Sequence, residues 1–358
     1  LYLSDYFYIM VDSNSKPPRR ERYKGTHPKG FKEKYKELQP QKYGEDIAKL
    51  IKQGKTPAGM HISICVKEIM DFLQIQPGQI GLDVTVGYGG HSLTMLKQLM
   101  PGGKLYGIDV DPIELPKTRK RLQDLGYGED SLVLQKMNFS DIDQIFYQSG
   151  PLNFVLADLG VSSMQIDNPE RGFSLKLDGP LDLRLNPSTG KSAAAFLKKC
   201  SHEQLKEIFI ENSDEPHATK IAAAIVEKMN GGEFIETTAQ LKEVIQDVLV
   251  NLHAATKKEE IRKSCQRCFQ ALRIEVNKEF EVLDKFLSKL PDILAPGARV
   301  AILSFHSGED RRVKKSFQTF FREGLYSEIA EEPIRPSIEE INSNPRAKST
   351  KFRWAIKA

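Results

Sequence analysis

The stretch Gln79-Ile80-Gly81-Leu82-Asp83-Val84-Thr85-Val86-Gly87-Tyr88-Gly89-Gly90-His91-Ser92 decides the fold. Leu82, Val84 and Val86 suit a buried strand that runs straight into a glycine turn. Gly87, Gly89 and Gly90 let the backbone bend sharply and approach a ligand with no Cβ in the way. The residues after Ser92 carry helical spacing, so strand, turn and helix N-terminus form a pocket of converging N–H donors. A second strand, residues 104–109, ends in Asp109, about twenty residues beyond the glycines, where doubly wound folds place an acid on a ribose diol. The pattern predicts a nucleoside-cofactor site.

The spacing alone leaves two cofactors open. NAD requires small residues at G-x-G-x-x-G, and Gly87 to Ser92 supplies them with Ser in place of the last Gly. S-adenosylmethionine (SAM) has no pyrophosphate and tolerates His91 and a bulkier turn. Asp83 and Asp109 favour a ligand with an ammonium group and a diol. The balance favours SAM, with an NAD-dependent oxidoreductase as the alternative.

The chain has 358 residues, room for one large domain with an insertion or for two domains. A net charge of +4 permits nucleic acid as a partner without demanding it. No apolar run reaches the ~18 residues of a membrane span. The four cysteines are few and unevenly spaced, as in a reducing compartment. Cys265-Gln-Arg-Cys268 has no second half to complete a tetrahedral zinc site, so no metal constellation is visible. The first residue is Leu1, consistent with a trimmed or processed terminus.

Residues 1–45 form a basic extension interrupted by Pro17, Pro18, Pro28 and Pro40, either a solvated tail or an arm that touches RNA. A short helix is expected over 46–51. Residues 46–165 then read as the first part of the nucleoside-binding domain. A strand over 132–134 is followed by Phe139, a candidate ring contact for adenine. The strand over 153–158 ends in Asp158 at the sheet edge where ligands gather. Residues 166–270 begin as a Gly- and Pro-rich loop and continue as helical segments over 192–199, 202–210, 218–229 and 238–251. Residues 271–358 return to the sheet, with strands over 299–305 and 351–356, the last alternating like an edge strand. The fold class is α/β: a Rossmann-like domain with an inserted helical domain.

Several motifs carry a more specific resemblance. They include Gly89-Gly90-His91-Ser92, Ile108-Asp109-Val110-Asp111-Pro112 and Asp158-Leu-Gly-Val-Ser-Ser163. Pro169-Glu-Arg171-Gly-Phe-Ser174, Asp178-Gly-Pro-Leu-Asp182, Ser304-Phe-His306-Ser and Asn344-Pro-Arg346 belong with them. From about His61 onward the chain resembles the MraW (RsmH) family, SAM-dependent methyltransferases acting on the N4 amine of a cytosine in the decoding region of small-subunit rRNA. The resemblance implies SAM binding by Gly89, Gly90, His91, Asp109, Phe139, Asp158 and Gln165. It implies small-subunit rRNA or the small ribosomal subunit as partner and no membrane, and it leaves the oligomeric state open, a homodimer included. The turn departs from the family's Gly-Thr-Phe-Gly-Arg-Gly-Gly, and His306-Ser-Gly-Glu-Asp310 departs from His-Ser-Leu-Glu-Asp. These departures and the N-terminal arm point to an organellar relative, chloroplast rather than mitochondrion, with the bacterial cytoplasm as alternative.

Methylation of an exocyclic amine is an in-line displacement that rests largely on positioning. Asp158, with the backbone carbonyls of Leu159 and Gly160, is the candidate acceptor for the amine N–H. His306 is a second candidate at the base. Ser162, Ser163, Arg171, Asp182 and Arg184 are candidate substrate contacts. Arg267, Arg273, Arg311 and Arg312, like Arg171, are candidates for phosphate. A SAM-binding ribosome assembly factor with weak or lost turnover is a further alternative.

Overall fold

The computed structural model describes residues 63–252 and 258–358. The basic arm and the helix expected over 46–51 lie outside the described residues.

The first half alternates helix and strand: α1 (Val66–Leu73), β1 (Ile80–Asp83), α2 (Gly90–Leu99), β2 (Lys104–Asp109), α3 (Glu114–Asp124), β3 (Leu132–Lys136), α4 (Asp143–Ser149) and β4 (Leu152–Asp158). A helical run follows: α5 (Ser163–Asp167), α6 (Ala193–Leu197), α7 (His202–Ser213), α8 (Ala218–Asn230), α9 (Thr238–Leu252), α10 (Lys258–Asn277) and α11 (Glu279–Lys289). The sheet resumes with β5 (Leu294–Ser304), α12 (Ser307–Arg322), β6 (Tyr326–Ile329), α13 (Ile338–Ser343) and β7 (Lys351–Lys357).

The seven strands lie in the order β3-β2-β1-β4-β5-β7-β6. The first five are parallel, and β7 pairs antiparallel with both β5 and β6. The strand read as an edge, residues 351–356, is therefore interior. The edge is β6, only four residues long, whose exposed Ser327 and Glu328 give it no apolar alternation to read. The chain winds outward in opposite directions from β1 and β4, so the crevice at their C-terminal ends is the switch point where open α/β sheets bind ligands.

Side chains alternate across the sheet as strand geometry requires. Val155 and Ala157 face a layer built from α4, α11 and α12, where Ile145, Phe286 and Phe317 are buried. Phe154 and Leu156 face the opposite layer of α1, α2 and α3, with Ile69, Leu96 and Leu122. Each such side chain contributes roughly 1.5–3 kcal/mol by leaving water. Gly81 in β1 has no side chain because Phe154 of β4 lies across it; a Cβ there would stand 2.0 Å from the Phe154 ring.

The helices between β4 and β5 have their own buried cluster, in which Leu205, Phe209, Ile221, Ile225, Leu241 and Leu272 meet. Cys265 and Cys268 are apolar members of that cluster. The boundary drawn at residue 270 falls inside α10, whose buried face continues through Leu272 to Ile274.

Candidate active site

Three adjacent strands, β2, β1 and β4, end in the carboxylates Asp109, Asp83 and Asp158. Between the first two runs the glycine turn. Gly87, at φ +48°, gives its amide to Asp109 Oδ2 at 2.7 Å, and a Cβ on it would meet nothing closer than the Thr85 carbonyl at 3.8 Å. That open face lets a ligand lie against the backbone. Gly89 is glycine for a different reason: at φ +82°, its Cβ would stand 2.8 Å from Thr118 Cγ2 of α3. The Thr118 hydroxyl donates to the Gly87 carbonyl at 2.6 Å and fixes the turn from behind. Tyr88 projects between these glycines and carries the Arg121 guanidinium 3.2 Å from its ring centroid, so an aromatic in the turn recruits its arginine from α3.

Asp83 is buried and accepts the Ser92 hydroxyl at 2.6 Å and the Thr85 amide at 3.1 Å. Asp109 also accepts the Asp111 amide at 2.9 Å. Burial pushes both carboxyls up to about 6, against the hydrogen bonds that favour their charged forms. The Asp158 amide donates to Thr85 Oγ1 at 2.6 Å. Its Oδ1 is shielded and has no hydrogen-bond partner. Burial, then the charges of Asp83 and Glu309, push this carboxyl up to about 7. His91, in the first turn of α2, stands with Nε2 3.7 Å from Asp158 Oδ2. Neither of its ring nitrogens is hydrogen-bonded, and burial lowers it to about 4, so it is neutral at neutral pH and leaves Asp158 uncompensated.

These features fit SAM. Orphaned polar atoms on Asp158 and His91, an open glycine face and three carboxyls short of positive charge suit a cationic nucleoside with a diol. Asp109 and the Gly87–Gly90 turn would hold the nucleoside, and Asp83 and Asp158 would face its cationic end.

The other sequence-predicted residues make contacts within the protein. Gln165 gives Nε2 to Asp111 Oδ2 at 2.8 Å and accepts the Ser162 amide on Oε1 at 2.9 Å, so both its ends hold the protein together. Ser162 caps α5 in return, through the Gln165 amide at 3.2 Å, and Ser163 opens that helix half-buried. Arg171 is buried, not a phosphate contact: Nη1 donates to Asp111 Oδ2 at 2.7 Å and Nη2 to the carbonyls of Arg184 and Leu185. Asp182 and Arg184 form a two-pronged pair at 2.8 and 2.6 Å. Phe139 is half-buried, its ring edge-on to Phe286 at 5.3 Å. His306 Nε2 lies 3.1 Å from Glu309 Oε1, while Glu309 Oε2 accepts the Phe305 amide at 2.8 Å. Arg267, Arg273 and Arg312 each face a carboxylate, on Glu215, Glu279 and Asp284. Only Arg311 of the five arginines has no side-chain partner among the described residues.

Asp111, Thr85 and Glu309 carry much of this arrangement without having been singled out from the sequence. Asp111 is the clearest: wholly buried, it receives Gln165 and Arg171 and accepts the Ile113 amide, just ahead of α3, at 2.8 Å. Its signal was the Asp-Pro step opening a helix two residues past a strand-end acid.

A mixed sheet with its crevice at the β1/β4 switch point, three strand-end acids and a glycine turn define a SAM-dependent methyltransferase. Residues 58–358 match the MraW methylase family, and the chain belongs to that family. It is 64% identical over 349 residues to a protein of Alkaliphilus metalliredigens named ribosomal RNA small subunit methyltransferase H 2, covering 98% of this chain and all of that one. It is 61% identical to ribosomal RNA small subunit methyltransferase H 1 of Lachnoclostridium phytofermentans, over 95% of this chain and 93% of that one. These relatives overturn the chloroplast assignment. Both are bacterial, and an alignment over 98% of the chain takes in most of the N-terminal arm that had pointed to an organelle.

Proposed function

We propose that the protein methylates the N4 amine of a cytosine in the decoding region of small-subunit rRNA, with SAM as donor. The observation that carries this reading is Asp158: an acid at the switch point with a shielded, unpartnered oxygen, in a chain closely similar to proteins named for small-subunit rRNA methylation. When bound, the cofactor supplies a methyl group on a sulfonium.

The chain's own residues do the rest by placement. The amine lone pair of cytosine is delocalised into the ring, so an acceptor on its N–H localises electron density on nitrogen. The Asp158 side chain is 30% exposed, and its carboxylate can take that bond. As the nitrogen gains the methyl it must shed one proton, and a carboxyl held at about 7 can accept it near neutral pH. Thr85 fixes the Asp158 backbone, and neutral His91 closes one side of the carboxyl to water. Leu159 and Gly160, the latter at φ +94°, follow Asp158, and their carbonyls are further candidate acceptors for the same amine. The helical insertion, residues 166–270, serves substrate recognition.

Incubation with labelled SAM and under-methylated small subunits, followed by mapping of the modified base, tests the assignment. Label on cytosine N4 is expected. Label elsewhere overturns the target, and SAM binding without transfer identifies an assembly factor instead.

A further inference from the structure

A cleft of about 390 Å³ opens beside the candidate active site, between the first two turns of α12, the segment after β6 and the start of β7. Five cations line it against two acids, Asp310 and Glu332. Asp310 is already satisfied: Lys351 reaches it at 2.6 Å and Arg353 at 2.6 Å, so two positive charges surround one negative. Arg335 is held by the Thr350 carbonyl at 3.0 Å, which spends one N–H without touching its charge. Arg311 and Lys314, one helical turn apart on the rim of the cleft, have no acidic partner among the described residues. The other arginines that could have met phosphate are paired with carboxylates. Of the arginines that were candidates for phosphate, the one left without a carboxylate, Arg311, therefore stands at this cleft.

The cleft is also in the right place. Leu303 of β5 pairs with Asp158 of β4, and Ser307 on the cleft wall follows four residues later. Four residues extend at most about 14 Å, a distance an RNA strand crosses in a few nucleotides. Arginine forks and a lysine on an open wall suit phosphate oxygens, which fix the register of a strand without reading bases.

We propose that this cleft seats a backbone phosphodiester of the RNA substrate flanking the methylated nucleotide, with Arg311 and Lys314 as its principal contacts. The inference rests on the RNA-methylating reading above and adds where the strand leaves the site.

The test compares the full chain with the Arg311→Gln/Lys314→Gln variant in equilibrium binding to under-methylated small subunits across a salt series. The expected result is affinity lower by about tenfold, a log–log salt slope shallower by about 1 to 2, a raised KM for RNA, and unchanged kcat and SAM affinity. A control pair, Lys97→Gln/Lys285→Gln, removes the same charge from exposed lysines elsewhere. Affinity and slope equal to wild type, or an equal loss in the control pair, overturns the cleft. Wild-type methylation alongside such a result removes the cleft alone, whereas a wild type that neither binds nor methylates RNA removes both readings.

Discussion

Thr85 and Asp158 are joined across β1 and β4 by a 2.6 Å hydrogen bond, the Asp158 amide donating to the Thr85 hydroxyl. The Thr85 amide in turn donates to Asp83 Oδ1 at 3.1 Å. One residue thus ties two crevice acids together, through its amide to Asp83 and its hydroxyl to Asp158. Thr85→Val keeps the shape and leaves a buried amide without its acceptor, a loss of roughly 1–3 kcal/mol. Calorimetry should show the lowered Tm, and kcat should fall more than the KM for RNA. Thr85→Ser should restore both; failure of Ser to rescue would assign the defect to packing.

Asp158→Asn retains the size of the side chain and removes its ability to take a proton. Methyl transfer should fall by about 100-fold or more, while the fold, read by circular dichroism, stays intact. Wild-type turnover in this variant would remove Asp158 from the mechanism.

The raised acids make cofactor binding depend on pH. Asp158 rises to about 7, and Asp83 and Asp109 to about 6, in the free crevice. The folded protein therefore holds protons that the unfolded chain has released, so these groups' contribution to stability declines as pH climbs through the folded values. A cationic ligand prefers the ionised acids, so its affinity should increase over the same interval. His91 contributes with the opposite sign, but only below its ordinary value of 6.5. Between about pH 6.5 and 8, titration calorimetry should find SAM binding strengthened about threefold. In thermal scans over that interval the Tm increment from SAM should grow while the Tm of the free protein declines. A flat profile would mean that the acids are already ionised.

Gly81→Ala places a methyl against the Phe154 ring in the middle of the sheet. The ring is packed in the same buried layer as Leu96 and Leu156, so a loss of about 1–3 kcal/mol is expected. Weaker SAM binding should accompany it, because Gly81 lies two residues before Asp83. Gly126→Ala, where a Cβ meets nothing within 4 Å, tests backbone strain alone at φ +93°.

Arg171→Met strands Asp111 as a buried, half-satisfied charge, with a cost of about 3–5 kcal/mol. If a folded fraction is recovered, its salt slope for RNA binding should equal that of wild type, since Arg171 touches Asp111 and two carbonyls. A shallower slope would place Arg171 on phosphate after all.

What could be read from the sequence follows from how local each signal is. The parallel strands ending in Asp83, Asp109 and Asp158 are apolar runs beside a glycine turn, so strand, acid and neighbouring helix lie within a few residues of one another. β6 was invisible because four residues with two exposed polar positions carry no period, and β7 looked like an edge because its partner could not be seen. The inward turn of Arg171 and Gln165 onto Asp111 depends on residues 54 and 60 positions away. No local pattern distinguishes an arginine awaiting a phosphate from one that has already found a carboxylate.

β4 and β5 are hydrogen-bonded neighbours, yet residues 159–293 intervene between them. Closing so long a loop has an entropic cost that grows only slowly with length once the intervening segment is compact. The helical cluster between them, with its own buried side chains, can condense first and shorten the effective gap. On a nascent chain, then, Asp158 emerges well before the strand that walls it in. The methyl-transfer centre is assembled late, and slow or faulty collapse of the helical segment should delay activity even when every residue lining the crevice is intact.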